Sequence, residues 1–219
     1  MKNSKTLRLT QLALLVALEL VMTYTPLGYL NVPGLSITFL MVPVVLGAIL
    51  IGPTGGAVLG AVFGLTSFAQ CFGASPFGAA LLGISPVLTF LVCVVPRVLA
   101  GWLPALAFRA LYGKAPSDAD PAPDAAALPR CTARKNAAFF VSALLGSVLN
   151  TLFFMSGLLL CFYSTDYIQT LAQSMGAANP IVFAALFVGV QGLIEAGVCC
   201  VLSGILTRVL YPLVLRRKG

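Results

Sequence analysis

Six long apolar stretches, almost free of charged side chains, constrain the fold of this chain more than any other feature. About 20 apolar residues cross the hydrocarbon core of a bilayer as a helix. Charged residues make up 9% of the chain and hydrophobic residues 59%, whereas an average soluble domain has roughly 25% charged residues. These proportions predict an integral membrane protein. The stretches cover approximately residues 8–24, 37–52, 54–70, 87–112, 136–163 and 181–211.

The apolar stretches predict helices. None of them shows the strict alternation of apolar and polar residues that is typical of a membrane-spanning strand. We therefore expect an all-α fold with six transmembrane helices in one domain, residues 1–219. The stretch 114–135 is rich in Pro, Ala and Asp, which predicts a flexible cytoplasmic linker between the fourth and fifth helices.

The basic residues predict the orientation. They cluster before the first apolar stretch, around the connection after the fourth stretch, and at the carboxyl end. The connections on the other side, 25–36, 71–86 and 164–180, contain one charged residue, Asp166. By the positive-inside rule, both termini should be cytoplasmic. The net charge of +7 is thus explained by orientation, and we expect membrane lipid around the chain and no nucleic-acid partner.

The first outer connection, TPLGYLNVPGLS at 25–36, is longer than a simple turn needs. It contains two prolines, two glycines and Asn31, and no charged residue. This composition fits either the lid of a binding site or an ordinary structured loop.

Small residues recur at helical spacing in two stretches. Ala13 and Ala17 lie four residues apart in the first, and Gly56, Gly60 and Gly64 share a face of the third. Such faces allow two helices to approach closely in a membrane. For the glycines we favour packing inside the bundle. For the two alanines, packing and docking of a partner subunit both stay open.

Several kinds of chemistry are excluded by the residues that the chain lacks. It has no histidine, so a histidine-based catalytic triad and a histidine-ligated metal are ruled out. The GPTGG at 52–56 has no following Lys and is not a phosphate-binding loop. The six cysteines show no metal-ligand spacing. We expect no metal, no cofactor and no enzymatic activity.

A few polar residues lie inside the apolar stretches. At a rise of 1.5 Å per residue, Arg97, Asn150, Thr151 and Glu195 all fall near the middle of the bilayer.

Three further polar residues lie nearer the outside. Glu19 and Gln70 are close to the outer ends of the first and third helices, and Asn31 is in the outer connection. These positions suit a substrate that enters from outside.

Arg97 follows Pro96 near the middle of the fourth stretch. A charged residue at this depth costs about 2.5–3.5 kcal/mol on insertion scales, so a partner is expected. One interpretation is structural: Arg97 pairs with Glu195, or with the backbone carbonyl that Pro96 leaves without a donor in the preceding turn. The other is functional, because arginine suits bidentate binding of a substrate carboxylate or phosphate. Both stay open.

Taken in order, pieces of all six stretches resemble the S components of energy-coupling factor vitamin transporters, most of all the pantothenate- and folate-type branch. The pieces are LTQLALLVALELVMTYTPLGYL, ITFLMVPVVLGAILIGPTGGAVLGAVFGLTSF, VPRVLAGW, GSVLNTLFF and GLIEAGV.

The resemblance implies a multi-pass subunit of the bacterial plasma membrane that binds one water-soluble vitamin tightly, with pantothenate favoured over folate or riboflavin. It implies no ATPase activity in this chain, and partnership with a transmembrane coupling subunit and two ATP-hydrolysing subunits. Ala13 and Ala17 match the family's docking face, and residues 25–36 match its lid. The substrate-binding residues that we expect are Glu19, Asn31, Gln70, Arg97, Asn150 and Thr151.

Two other classes of function stay open. A stand-alone proton-coupled secondary transporter would use Glu19 or Glu195 as the proton carrier, although we find no internal repeat of the kind such proteins usually have. A membrane scaffold would tolerate Asn150→Ala and Gln70→Ala without loss. A membrane-embedded enzyme is disfavoured because the chain has neither a histidine nor a cluster of acidic residues.

Overall fold

The computed structural model describes residues 4–25, 28–32, 35–112 and 133–216. They form helices with one short hairpin. The elements in chain order are α1 Ser4–Tyr24, β1 Tyr29–Val32, β2 Leu35–Thr38, α2 Met41–Leu50, α3 Pro53–Gln70, α4 Pro76–Ile84, α5 Pro86–Tyr112, α6 Ala133–Phe162, α7 Asp166–Ser174 and α8 Pro180–Arg216. Most of the predicted linker 114–135 lies outside the described residues, and its last three residues begin α6.

Four helical stretches are long and apolar enough to cross a membrane. The helix α2 is apolar but has only ten residues, so its length of about 15 Å is half of the hydrocarbon thickness. The helical, membrane-embedded character predicted from the sequence is confirmed, whereas six crossings and the orientation stay predictions. The four stretches are Thr6–Tyr24, Pro86–Tyr112, Ala137–Phe162 and Gly192–Tyr211.

The predicted outer connection 25–36 contains an antiparallel hairpin that the sequence analysis did not predict. Strands β1 and β2 pair with Tyr29 opposite Thr38 and Val32 opposite Leu35. The Phe39 amide donates to the Gly28 carbonyl at 3.0 Å, which closes the base of the hairpin. The second strand extends to Thr38, so the second helix begins at Met41 and not at residue 37 as predicted.

The glycine face of α3 packs against α5. A Cβ on Gly56 would lie 2.1 Å from the carbonyl oxygen of Gly101, and one on Gly60 would lie 2.2 Å from that of Arg97. No other residue fits at such distances, because even a methyl group would overlap the neighbouring backbone. The predicted packing of this face inside the bundle is confirmed. We call this contact the glycine seam.

Two apolar clusters lie at opposite ends of the bundle. In one, the rings of Phe108, Tyr112, Phe139 and Tyr211 pack with centroids 4.9–5.6 Å apart. This cluster joins the end of α5, the start of α6 and the end of α8. The other joins the opposite ends of the same helices with α4 and α7, which are short helices within the predicted connections 71–86 and 164–180.

Helix α8 is broken near its start. Gly189 has φ 52° and ψ −157°, a backbone conformation that is essentially restricted to glycine. The predicted sixth stretch, 181–211, is therefore two helical pieces, the first ending at Gly189. The sequence analysis predicted one continuous helix here.

Candidate functional site

A cavity of about 290 Å³ lies between the two apolar clusters. Helices α3, α5, α6 and α8 and the end of β2 form its walls. This volume is at the lower end of the range of small-molecule sites, roughly 300–1,000 Å³. The polar residues that line it are Thr38, Ser67, Arg97, Asn150, Thr151 and Glu195, and its aromatic residues are Phe63, Phe154 and Phe187.

The cavity brings together four polar residues that the sequence analysis placed at a common depth. Arg97 comes from α5, Asn150 and Thr151 from α6, and Glu195 from α8. Three helices that are distant in the chain thus contribute cationic, amide, hydroxyl and carboxyl groups to one space. Such a mixture can bind a small polar molecule at several points.

Arg97 is nearly buried, with 8% of its surface exposed. Its Nη1 donates to the carbonyl of Val92 at 3.0 Å. Val92 lies four residues before Pro96, so this is the carbonyl that an ordinary residue at position 96 would have bonded through its amide. The contact between Arg97 and the carbonyl released by Pro96, one of the sequence-based alternatives, is confirmed.

Two aromatic rings also stabilise the Arg97 guanidinium. Its Cζ lies 4.7 Å from the ring centroid of Phe154 and 5.4 Å from that of Phe63. Cation–π attraction of this kind contributes about 0.5–2 kcal/mol, more where water is excluded. The backbone and the two rings therefore offset part of the cost of the buried charge, while Arg97 still lines the cavity.

Glu195 contacts the hairpin. Its Oε1 accepts a hydrogen bond from the Thr38 hydroxyl, and the thiol of Cys199 donates to the Thr38 carbonyl at 3.4 Å. Thr38, the last residue of β2, is thus held to α8 at the edge of the cavity through both its side chain and its backbone. The Arg97–Glu195 ion pair stays a prediction.

The two α6 residues differ in their hydrogen bonding. Thr151 donates its hydroxyl hydrogen to the carbonyl of Ser147 at 3.3 Å, so its oxygen can still accept a hydrogen bond. The buried Oδ1 of Asn150 has no hydrogen-bond partner within the described part of the protein. Because buried polar atoms nearly always have a partner, this oxygen is suited to accept a hydrogen bond from a bound molecule.

The structure does not bring the other predicted site residues to this cavity. Glu19 is fully buried in α1, and neither carboxyl oxygen has a hydrogen-bond partner among the described residues. Gln70 is the last residue of α3 and does not line the cavity either. Asn31 lies on β1 opposite Ser36, and its side chain lies outside the described residues. Their substrate contacts stay predictions.

Ala13 and Ala17 are exposed on α1. Leu14, Leu18 and Val21 are exposed on the same helix, with Leu14 at 72%. The docking role of this helix stays a prediction. Within the described ranges, no group of three or more His, Cys, Asp or Glu residues could hold a metal ion.

Sequence reasoning missed several lining residues. Ser67 lies four residues after Phe63, and Phe154 three residues after Thr151, so each pair shares a helix face. This spacing could have identified them once Thr151 and the α3 face were assigned to a cavity. Thr38 gave no such signal, because its position depends on a hairpin that packs against a helix more than 150 residues away in the chain.

A sequence model of the family described as "ECF transporter, substrate-specific component" matches residues 7–207. The match covers nearly the whole chain and includes every residue that lines the cavity. The comparison with curated proteins gave no match.

Proposed function

This chain belongs to the substrate-specific component family of ECF transporters, and we propose that it captures a small vitamin with a carboxylate, pantothenate above all, for import into a bacterial cell. As a member of that family it is a substrate-binding membrane subunit that works with coupling and ATP-hydrolysing subunits. The substrate and the roles of individual residues are the proposal.

One observation carries the proposal: Arg97, Asn150 and Thr151 line the same cavity. A guanidinium binds a carboxylate through charge-assisted hydrogen bonds. The Oδ1 of Asn150 can accept from a ligand amide or hydroxyl, and the Thr151 oxygen can do the same. Pantothenate contains a carboxylate, an amide and two hydroxyl groups. It therefore offers a hydrogen-bonding group to each of these three side chains.

The size of the cavity also favours pantothenate. The volume of about 290 Å³ lies at the lower end of the range for small-molecule sites, and the cavity is partly open. Folate and riboflavin are considerably larger molecules with extended aromatic rings. The three phenylalanine rings can contact the branched apolar part of pantothenate without further space.

Two other parts of the chain, the connection 25–36 and helix α1, have roles in the proposed function. The connection 25–36 with Asn31, which includes most of the hairpin, covers the site after the vitamin enters. The exposed Ala13 and Ala17 face of α1 docks the coupling subunit. ATP hydrolysis in the partner subunits then reorients this subunit in the membrane and exposes the vitamin to the cytoplasm.

The test is calorimetric titration of the purified chain with pantothenate, folate, riboflavin, thiamin and pyridoxine, together with mass spectrometry of any co-purified molecule. We expect saturable binding of pantothenate alone. Asn150→Ala should weaken it about two- to ten-fold, the effect of one hydrogen bond. The matched control is Ser142→Ala, a fully buried residue of the same helix that does not line the cavity, which should leave binding unchanged.

Failure of the folded protein to bind any of these vitamins, or equal effects of the two substitutions, would contradict the proposal. A transport assay distinguishes the proposed function from the alternative, a proton-coupled secondary transporter. We expect pantothenate uptake into proteoliposomes only when the coupling and ATP-hydrolysing subunits are present. Uptake by the chain alone that a protonophore abolishes would instead identify a proton-coupled secondary transporter.

A further inference from the structure

The cavity has a second charged residue in addition to the arginine. Glu195 lies on α8 and Arg97 on α5, and both line the same space. A hydroxyl from the protein already contacts the Glu195 carboxyl group, because Thr38 Oγ1 donates to its Oε1. Thr38 itself lines the cavity, so the donor and the acceptor are both within reach of a bound molecule.

We propose that Glu195 is a specificity-determining residue: it accepts a hydrogen bond from a donor group of the ligand, and this donor takes the place of the Thr38 hydroxyl. The substrate class is then a molecule with a carboxylate near Arg97 and a hydroxyl or amide donor near Glu195. This inference rests on the proposed function, and it adds a residue that the vitamin contacts and a reason for selectivity.

The contact with Thr38 supports an exchange of partners. A partly buried carboxyl oxygen gains stability from a hydrogen-bond donor. The Thr38 hydroxyl is such a donor, and it is chemically equivalent to an alcohol of a ligand. A ligand without a donor leaves the Thr38 bond in place and gains nothing from Glu195.

The exchange also links the ligand to the hairpin. The Thr38 side chain is bonded to Glu195, while the Thr38 carbonyl accepts from Cys199. A ligand that replaces the hydroxyl removes the first contact and keeps the second. The end of β2 therefore stays attached to α8 through the Thr38 backbone and loses the hydrogen bond of the Thr38 side chain when the ligand binds.

The experiment compares pantothenate with an analogue in which both hydroxyl groups are replaced by hydrogen. Both probes keep the carboxylate and the amide. We expect the unmodified protein to bind pantothenate at least about ten-fold more tightly than the analogue in calorimetric titration. In Glu195→Met, which has no carboxyl acceptor, this preference should fall about two- to ten-fold, the effect of one hydrogen bond, through weaker binding of pantothenate.

A second variant tests the exchange and does not depend on how Glu195→Met folds. In Thr38→Val, pantothenate no longer has to displace a hydroxyl, so its affinity should rise about two- to ten-fold, while the affinity of the analogue stays the same. A purely structural role of Thr38 would change both affinities alike. The control is Thr207→Val, a buried threonine of α8 bonded only to backbone carbonyls, which should change neither.

The outcomes distinguish failure of the proposed role of Glu195 from failure of the proposed function. If the unmodified protein binds pantothenate and Glu195→Met leaves the preference over the analogue unchanged, the role of Glu195 is wrong and the proposed function stands. If Glu195→Met reduces the preference but Thr38→Val alters neither affinity, the exchange with Thr38 is wrong. If the folded, unmodified protein binds neither probe, the pantothenate proposal fails and this inference fails with it.

Discussion

The two sides of the cavity are built in different ways. On one side, the glycine seam brings the backbones of α3 and α5 into direct contact, with Gly60 against the carbonyl of Arg97. On the other, α8 is broken at Gly189, and a Cβ on Gly189 or Gly197 would meet no atom within 4 Å. One wall is closely packed against backbone next to its charged residue, whereas the other has open space at Gly189 and Gly197 and only side-chain neighbours at Gly192 and Gly204.

The partners of the two charged residues differ in the same way. Arg97 is held by a carbonyl of its own helix, and Glu195 by a hydroxyl from the hairpin. The α5 wall therefore holds its charge by a hydrogen bond within one helix, and the rings of Phe63 and Phe154 on the neighbouring helices add to it. The α8 wall holds its charge through a contact between two elements that can separate. We infer that the α5 wall orients the ligand, whereas the contact between the α8 wall and the hairpin changes when the ligand binds.

The largest effect should come from Gly60→Ala. The added methyl group would overlap the Arg97 carbonyl, so α3 and α5 must move apart. We expect a loss of about 3 kcal/mol of unfolding free energy, the upper part of the usual range for overpacking, and weaker pantothenate binding because Arg97 moves. Thermal unfolding in detergent and calorimetry measure the two effects.

The matched control for this substitution is Gly197→Ala in α8. The space there is open, and alanine favours a helix by up to about 1 kcal/mol over glycine. The variant should be as stable as the unmodified protein or slightly more so. If both substitutions had the same effect, the contrast between the two walls would not hold.

Gly189→Ala should have the next largest effect, although no atom obstructs the added methyl group. The reason is conformational, since φ 52° and ψ −157° strain any other residue by about 1–3 kcal/mol. We expect a lower unfolding temperature and a smaller loss of affinity than for Gly60→Ala. Gly83→Ala in α4, another open position without positive φ, is the control. A larger loss of affinity than for Gly60→Ala would show that the α8 wall orients the ligand.

The smallest effect should come from Glu19→Met, away from both walls. The carboxyl group of Glu19 is fully buried, and its oxygens have no hydrogen-bond partner in the described part of the chain. Replacing it with an apolar side chain of similar length should raise the unfolding free energy by about 1 kcal/mol. Pantothenate affinity should not change. Weaker binding in this variant would show that Glu19 contacts the substrate, as its predicted position near the outer end of the first helix suggested.

The sequence was sufficient to predict features that depend on a single helix. The apolar stretches predicted the long helices, and the spacing of Gly56, Gly60 and Gly64 predicted a packing face. The contact of Arg97 with the carbonyl released by Pro96 was also predictable, because a proline affects a backbone group at a fixed distance along the same helix.

Features that depend on contacts between distant elements could not be predicted. The pairing of β1 and β2 places Thr38 beside Glu195, and no local pattern indicates this neighbour. Gly189 lies in a continuous apolar run, so nothing near it in the sequence distinguishes a break from an ordinary helical glycine. The cavity itself exists only because helices from separate parts of the chain leave space between them.

The bond between Arg97 and Val92 has a consequence for the proposed reorientation of this subunit in the bilayer. Both groups belong to α5, so their separation is independent of how α5 is inclined to the membrane normal or displaced against its neighbours. The guanidinium keeps its solvating carbonyl throughout such a movement, as an ion keeps a ligand of its coordination sphere. A charge stabilised in this way can cross the depth of the membrane with its helix without being stripped of that contact.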